Sequence, residues 1–395
     1  MFSKRLSQIN PSATLAITAR AKKMKAEGID IIGFGAGEPD FDTPEHIKAA
    51  AKSALDEGFT KYTPASGIKE LKEAISRKFK DDNGLRYSDE EIIVSCGAKH
   101  ALFNAILVLC DEKDEVIVPS PYWVSYPEMI KASGAKVTFL KTSAERNFKV
   151  TATQLKKAIK KNTKLFILNS PSNPTGMVYR EDELADIAKA LEDTGTFCLS
   201  DEIYEKIIYD NNKHTSIASL GEDIRNRTIV INGVSKSYSM TGWRIGYAAG
   251  PSEIIRAMGN LQSHSTSNPT SIAQKAAVAA LSGRQEAVGL MVQEFKKRRD
   301  YITGRINKIK GISCLMPQGA FYIFVNISAV VGKRYQGKAI NGSFALTQAL
   351  LEEARVAVVP GSIFGDDNYL RISYATSMDN ITSGIDRIEE FINKL

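Results

Sequence analysis

Short apolar runs of strand length alternate with helical periodicity through the middle of the chain. The runs fall at 91–95, 115–119, 136–140, 164–169, 197–200, 228–232 and 245–249, with 3.6-residue patterns such as 181–192 between them. Near-continuous apolar strands separated by amphipathic helices predict an α/β unit, a mostly parallel mixed sheet flanked by helices. From about residue 285 the pattern changes to a long amphipathic helix reaching 308, strands near 313 and at 320–326, a helix at 343–354, strands at 356–359 and 369–374, and a closing helix. That change predicts a smaller α+β unit, in which the polar, glycine-containing stretch 332–342 reads as an exposed or mobile connection. Neither part contains an internal repeat or a low-complexity tract.

Composition narrows the class. With 395 residues, 43% of them hydrophobic and 25% charged, the chain can build two ordinary globular cores. The formal charge of +7 comes from 52 basic residues spread among 45 acidic ones. The densest basic clusters, Lys156-Lys157 with Lys160-Lys161 and the run 296–299, fall in helical patterns with apolar partners. They read as solvated helix faces rather than a nucleic-acid surface, while attraction of small anionic substrates fits. Cys96, Cys110, Cys198 and Cys314 form no CxxC pair, which points to a reducing compartment. His46, His100, His214 and His264 show no metal-ligand spacing, which argues against a structural zinc. Without an apolar leader or a bilayer-length apolar run, the expectation is a cytoplasmic protein.

The densest candidate chemistry is NGVSKSYSMTGWRIGY at 232–247. Lys236 sits between Ser235 and Ser237 without the acidic partners of a solvated helix face, and Arg244 follows eight residues on. An amine held as a nucleophile or imine, beside a guanidinium fork of the kind that binds phosphate, suits a phosphorylated aldehyde cofactor. A lysine and an arginine that merely flank a buried strand are the bland alternative, which this segment alone leaves open.

Other segments also follow strands, and in α/β sheets sites gather at the strands' carboxyl ends. SCGAKH at 95–100 leaves a strand and opens an apolar helix running to about 110; amides at such a helix start form an anion site, although glycine there is commonly turn chemistry. In NSPSNPTG at 169–176, two prolines fix a loop that either aims Asn173 into a cleft or forms a rigid capped turn. Asp201 closes a strand and Tyr204 follows it. A carboxylate there can keep a pyridine nitrogen protonated and the phenol can donate to a ring oxygen, whereas an N-cap aspartate with a packed tyrosine is the plainer reading. The glycines of IGFGAGEP at 32–39 do not make a dinucleotide fingerprint, since the spacing is GxGxG and Pro39 interrupts the helix. Arg371 lies mid-strand in LRISY, and its anionic partner is either a substrate carboxylate or a distant acid.

In order along the chain from about Pro11, the motifs GAGEPDFDTP, KYTPASG, GAKHALFN, PYWVSYP, NSPSNPTG, SDEIY, SKSYSMTGWRIGY, GAFY and LRISYATS resemble the fold-type I pyridoxal phosphate aminotransferases of class I, specifically the bacterial aspartate aminotransferase subgroup Ib. The resemblance implies a large cofactor-binding domain at 46–285 and a small domain built from 1–45 and 286–395. It also implies pyridoxal 5′-phosphate and ping-pong transfer of the amino group from L-aspartate to 2-oxoglutarate, giving oxaloacetate and L-glutamate. An aromatic, kynurenine or prephenate aminotransferase of the same fold is the nearest alternative, and a cofactor-binding regulator without turnover a more distant one.

By the same resemblance Lys236 is linked to the cofactor aldehyde and later carries the proton, Asp201 pairs with the ring nitrogen, Tyr204 and Asn173 reach the ring oxygen, and Trp123 stacks on the ring. Ala98, Lys99, Ser235, Arg244 and, from the other subunit, Tyr62 would hold the phosphate, which implies a homodimer with shared sites. Arg371 would clamp the substrate α-carboxylate, with Gly37, Trp123 and Asn173 around it. The animal-type arginine five residues before an Asn-Pro pair is replaced by Ser263 ahead of Asn268-Pro269, so the distal carboxylate falls to Lys99, helped by Thr14. Prephenate-accepting members tend to carry lysine just before Pro-Ser-Ala-Thr, and Asn10 in that place argues against prephenate. No metal, nucleic acid or membrane enters this reading.

Overall fold

The computed structural model describes residues 6–11 and 13–395, leaving aside the side chains of Leu6, Ala13, Thr14, Leu15 and Thr18. Seven strands form the large sheet: β1 (Ile92–Ser95), β2 (Glu115–Ser120), β3 (Lys136–Lys141), β4 (Thr163–Asn169), β5 (Phe197–Asp201), β6 (Thr228–Gly233) and β7 (Gly246–Ala249). Their spatial order is β1-β7-β6-β5-β4-β2-β3. Only β7 runs antiparallel to its neighbours; the pairs from β6 across to β3 are parallel. Central strands covered on both faces read as unbroken apolar runs, and all six residues of β6 are buried. At one edge, β3 is partly exposed and carries Lys136 and Lys141 at its ends, which discourages further pairing. At the other edge β1 is wholly buried, because the Val94 amide donates to the Ser66 carbonyl (2.9 Å) and Gln262 Nε2 donates to the Val94 carbonyl (2.8 Å).

A second, antiparallel sheet consists of β8 (Ser313–Cys314), β9 (Tyr322–Asn326), β10 (Val359–Pro360) and β11 (Tyr369–Ser373), ordered β10-β11-β9-β8. The segment after Asp30 is stitched to this region: Ile32–Gly33 pairs in parallel with Val356–Ala357, and the Ser373 amide donates to the Phe34 carbonyl at 2.9 Å. Residues 34–37 are thereby held beside β11. One apolar cluster runs through both sheets, joining Val94 and Val230 to Ile323 and Ile372. Among the described residues no helix is long and apolar enough to cross a membrane.

Two expectations change. The run 356–359 is two short strands, Val356–Ala357 pairing with Ile32–Gly33 and β10 pairing with β11. All four residues are buried, so the apolar pattern continues across a change of partner that periodicity cannot register. The stretch 332–342 is a small hairpin rather than an irregular connection. Arg334–Tyr335 pairs with Lys338–Ala339 around Gln336 and Gly337, both at positive φ, the backbone that a two-residue hairpin turn requires. Its tip is exposed as expected, but Ile340 is buried and the Tyr335 ring packs 4.8 Å from that of Phe391. Two residues per strand are too few to show alternation.

Candidate active site

A cavity of about 330 Å³ opens where the carboxyl ends of β5 and β6 face β9 and β11. Lys236, three residues beyond β6, forms its floor with Asp201, the last residue of β5. The Lys236 amine donates to the Gly37 carbonyl at 2.5 Å. Burial pushes that amine down to about 8; Glu38 opposes the shift, and the Arg244 and Arg371 charges add to it. An amine near that value is available as a nucleophile and a base at neutral pH.

Asp201 is buried without a cation paired to it among the described residues. Tyr126 donates to its Oδ2 at 2.6 Å and the Ile203 amide to Oδ1 at 3.3 Å. Burial raises its carboxyl to about 6 against those two donors. Tyr204 is also buried, and its hydroxyl lies 2.8 Å from that of Tyr322 on β9. Trp123 lines the wall with its ring edge-on to Tyr126 (5.3 Å), and the Lys99 ammonium sits 4.9 Å from the Trp123 centroid. Burial and the Arg244 charge lower the Lys99 amine from its ordinary value.

The helix Ala98–Leu109 starts at the cavity. Gly97 precedes it at φ +88 and has no side chain to cap the first amides, those of Ala98 and Lys99. The Arg244 guanidinium is packed where a Cβ on Gly97 would stand, and a Cβ on Gly246 would strike the Ala98 backbone, so both glycines are needed to shape this corner. Arg244 donates to the Thr241 carbonyl (2.8 Å) and the Cys96 carbonyl (3.3 Å), and buried Ser235 completes the corner. An uncapped helix start, a hydroxyl and a guanidinium in glycine-lined space make a phosphate-sized anion cradle.

Arg371 of β11 is 2% exposed, and no carboxylate among the described residues pairs with it. Its two terminal nitrogens donate to Asn173 Oδ1 (3.1 Å) and the Gly35 carbonyl (2.8 Å), and Nε has no hydrogen-bond partner among the described residues. The guanidinium lies 4.6 Å from the Tyr322 centroid and 5.0 Å from that of Phe364. A buried cation with only neutral acceptors is left without the counter-charge that burial ordinarily demands, and can receive an anion.

Of the residues singled out from the sequence, Gly37, Ala98, Lys99, Trp123, Asn173, Asp201, Tyr204, Ser235, Lys236, Arg244 and Arg371 meet at this cavity. Asn173 is oriented by its own amide donating to Asn169 Oδ1 (2.8 Å), and its side chain engages Arg371. Gly37 presents its carbonyl to Lys236. Tyr62 does not line the cavity and is 91% exposed. The Thr14 side chain lies outside the described residues. Two residues carry contacts that the motifs alone did not assign: Tyr126, from PYWVSYP, and Tyr322, from GAFY. A tyrosine inside each motif was the visible signal.

One further polar cluster lies behind the floor. Glu202, Glu205 and His214 bring ligand atoms within 4.8 Å of one another. Lys78 already forms an ion pair with Glu205, His214 Nε2 is 2.9 Å from Glu202, and Ser200 and Ser216 donate to Glu202. The lysine supplies the positive charge that a metal would bring.

An anion cradle, a depressed amine and a buried carboxylate at the strand ends match the pattern of one family, whose profile, aminotransferase class I and II, covers residues 29–388. The chain belongs to this family. It is 52% identical to the aspartate aminotransferase of Geobacillus stearothermophilus over 99% of this chain and 98% of that one. It is 47% identical to the aspartate/prephenate aminotransferase of Nitrosomonas europaea over 99% and 100%. The aspartate aminotransferase structure from Rhizobium meliloti superposes with a TM-score of 0.97 at 44% identity, covering 100% of this chain and 99% of that one. That of Thermus thermophilus with maleate gives 0.93 at 41%, covering 99% of each. Enzymes of this family are pyridoxal phosphate-dependent, and the chain is a transaminase.

Proposed function

We propose that the protein is an aspartate aminotransferase that binds pyridoxal 5′-phosphate at Lys236 and works as a cytoplasmic homodimer, passing the amino group of L-aspartate to 2-oxoglutarate. The observation that carries this reading is Arg371, buried with no carboxylate partner among the described residues, in the same cavity as the depressed amine of Lys236. The walls suit the cofactor: the uncapped helix start with Ser235 and Arg244 offers donors to a phosphate, and Asp201, held by Tyr126 and the Ile203 amide with no cation against it among the described residues, offers a carboxylate to a ring nitrogen. When bound, the cofactor supplies an electron-poor ring that accepts the electron pair left by the substrate Cα proton.

The chain's residues do the rest. Lys236 Nζ takes and returns the Cα proton, a task suited to an amine near 8. Asp201 holds the proton on the ring nitrogen, Tyr204 and Asn173 serve the ring oxygen, and Trp123 covers the ring face. Ala98, Lys99, Ser235 and Arg244 hold the phosphate with Tyr62 from a second copy, for which its exposure here leaves it available. Arg371 binds the α-carboxylate beside Gly37 and Asn173, in a two-pronged geometry that lysine cannot reproduce. Lys99, with Thr14, reads the distal carboxylate. Maleate, bound by the Thermus thermophilus relative, is a dicarboxylate of the same class. Movement of 1–45 and 286–395 over 46–285 would carry Arg371 and Gly37 onto the substrate and exclude water. The relatives named for aspartate and prephenate keep prephenate as the second reading, against which Asn10 stands.

The test adds aspartate, glutamate, alanine, phenylalanine and arogenate separately to the holo-protein while its absorbance is followed, then regenerates it with oxaloacetate or prephenate. The proposal requires rapid conversion by aspartate and glutamate and reversal by oxaloacetate. Near-wild-type turnover by Lys236→Ala would refute the assignment.

A further inference from the structure

We propose that Tyr322 is a positioning residue that joins the ring-oxygen donor Tyr204 to the carboxylate clamp Arg371. The inference rests on the cofactor reading above and extends it to a residue with no role there. Three observations meet at this side chain. Its hydroxyl is 2.8 Å from that of Tyr204, its ring lies 4.6 Å from the Arg371 guanidinium carbon, and it is 1% exposed. Tyr204 follows β5 of the large sheet, while Tyr322 and Arg371 belong to the neighbouring strands β9 and β11, where Phe324 and Arg371 are direct partners. The pair of phenols therefore bridges the two sheets inside the cavity.

The direction of the bridge follows from proton counting. A phenol has one proton to give, so if Tyr204 donates to a ring oxygen it must accept from Tyr322. The environment favours that polarity. Burial raises both phenols and the Arg371 charge opposes the shift in each, with the Tyr322 ring 4.6 Å from the guanidinium. Tyr322 thus lies nearer the Arg371 charge, in a place suited to the donor of the pair. Accepting that bond leaves Tyr204 with its proton aimed into the cavity and strengthens it as a donor, since hydrogen bonds in series polarise one another. The face of the same ring supports Arg371, whose Nε has no other partner. A Cβ on Gly37 would stand 2.8 Å from the Tyr322 hydroxyl, so the glycine also leaves room for the bridge.

Two substitutions separate the functions. Tyr322→Phe removes the hydroxyl and keeps the ring; Tyr322→Leu removes both. A donor at the ring oxygen favours the deprotonated chromophore, so a pH titration of holo-protein absorbance should move up by about half a pH unit in Tyr322→Phe. The KM for aspartate should stay within about twofold for Phe and rise by roughly fivefold to tenfold for Leu, the value of a desolvated cation–ring contact. In a Tyr204→Phe background the Tyr322→Phe shift should vanish. A Tyr322→Phe protein that titrates like wild type, or a shift that persists without the Tyr204 hydroxyl, overturns the proposal. Wild-type protein that fails to take up pyridoxal phosphate as a chromophore overturns the cofactor reading instead, so the two failures are distinguishable.

Discussion

Asp201 and Glu205 stand four residues apart, both buried, and their carboxyls are shifted in opposite directions. Burial lifts Asp201 to about 6, whereas at Glu205 the same burial is overcome by Lys78 and then His214, which hold it at about 2. The difference is counter-charge. Glu205 has an ion pair with Lys78 and accepts from Asn83 at 3.1 Å; Asp201 has a phenol and an amide. The buried cations repeat the contrast, since Lys78 is paired and Arg371 is offered only neutral oxygens. The region behind the floor is complete in itself. The cavity presents a carboxylate and a guanidinium that lack a counter-charge among the described residues, which is what a site built for a charged cofactor and a charged substrate requires.

The contrast predicts that equal insults will have unequal consequences. Arg371→Leu should lower kcat/KM for aspartate by about a thousandfold, through loss of charge-assisted bonds to a carboxylate, while unfolding of the apo-protein shows no comparable loss. Lys78→Met should do the reverse, leaving Glu205 buried without its ion-pair partner at a cost of about 3 to 5 kcal/mol in chemical unfolding, with turnover per folded molecule nearly unchanged. A large stability loss in the first variant, or a catalytic loss in the second, would erase the distinction.

The pH dependence of stability should split in sign. Asp201 is raised, so its contribution is present below the ordinary aspartate value and is lost as pH climbs through about 6. Apo-protein carrying Asp201→Asn should therefore gain on wild type by up to about 3 kcal/mol between pH 4 and 7. Glu205 is lowered, so its contribution is present above the ordinary glutamate value and fades as pH falls toward about 2. Glu205→Gln should lose most against wild type near neutrality, and the gap should close in acid. Unfolding curves across pH for both variants check the signs, and parallel curves would show that counter-charge does not distinguish the sites.

Lys99 should give the smallest effect. Its ammonium lies on the Trp123 ring within the cavity. Lys99→Ala should raise KM for aspartate and glutamate about tenfold, the value of one charged contact, and leave alanine and phenylalanine little changed. An equal rise for all donors would move Lys99 from distal-carboxylate recognition to the phosphate cradle.

The residues that line the cavity were legible where type and place coincide, at polar positions just beyond apolar runs. Lys236, Asp201 and Asn173 all follow that rule, and the α/β class followed from the same runs. Arg371 was conspicuous for the opposite reason, a cation inside a strand. The contacts of Tyr126 and Tyr322 were not legible, because their partners lie 75 and 118 residues away and an aromatic in an apolar setting has a sufficient explanation in packing. The break inside 356–359 was hidden because every residue there remains buried. The Glu202, Glu205 and His214 cluster was hidden because Lys78, which completes it, comes from a distant helix.

The central claim is that Arg371 is held unpaired for the carboxylate of a substrate. Calorimetric titration of maleate into holo-protein tests it without turnover. Wild type and Lys78→Met should bind with similar affinity, and Arg371→Leu should give no measurable heat. Equal binding by Arg371→Leu would contradict the account.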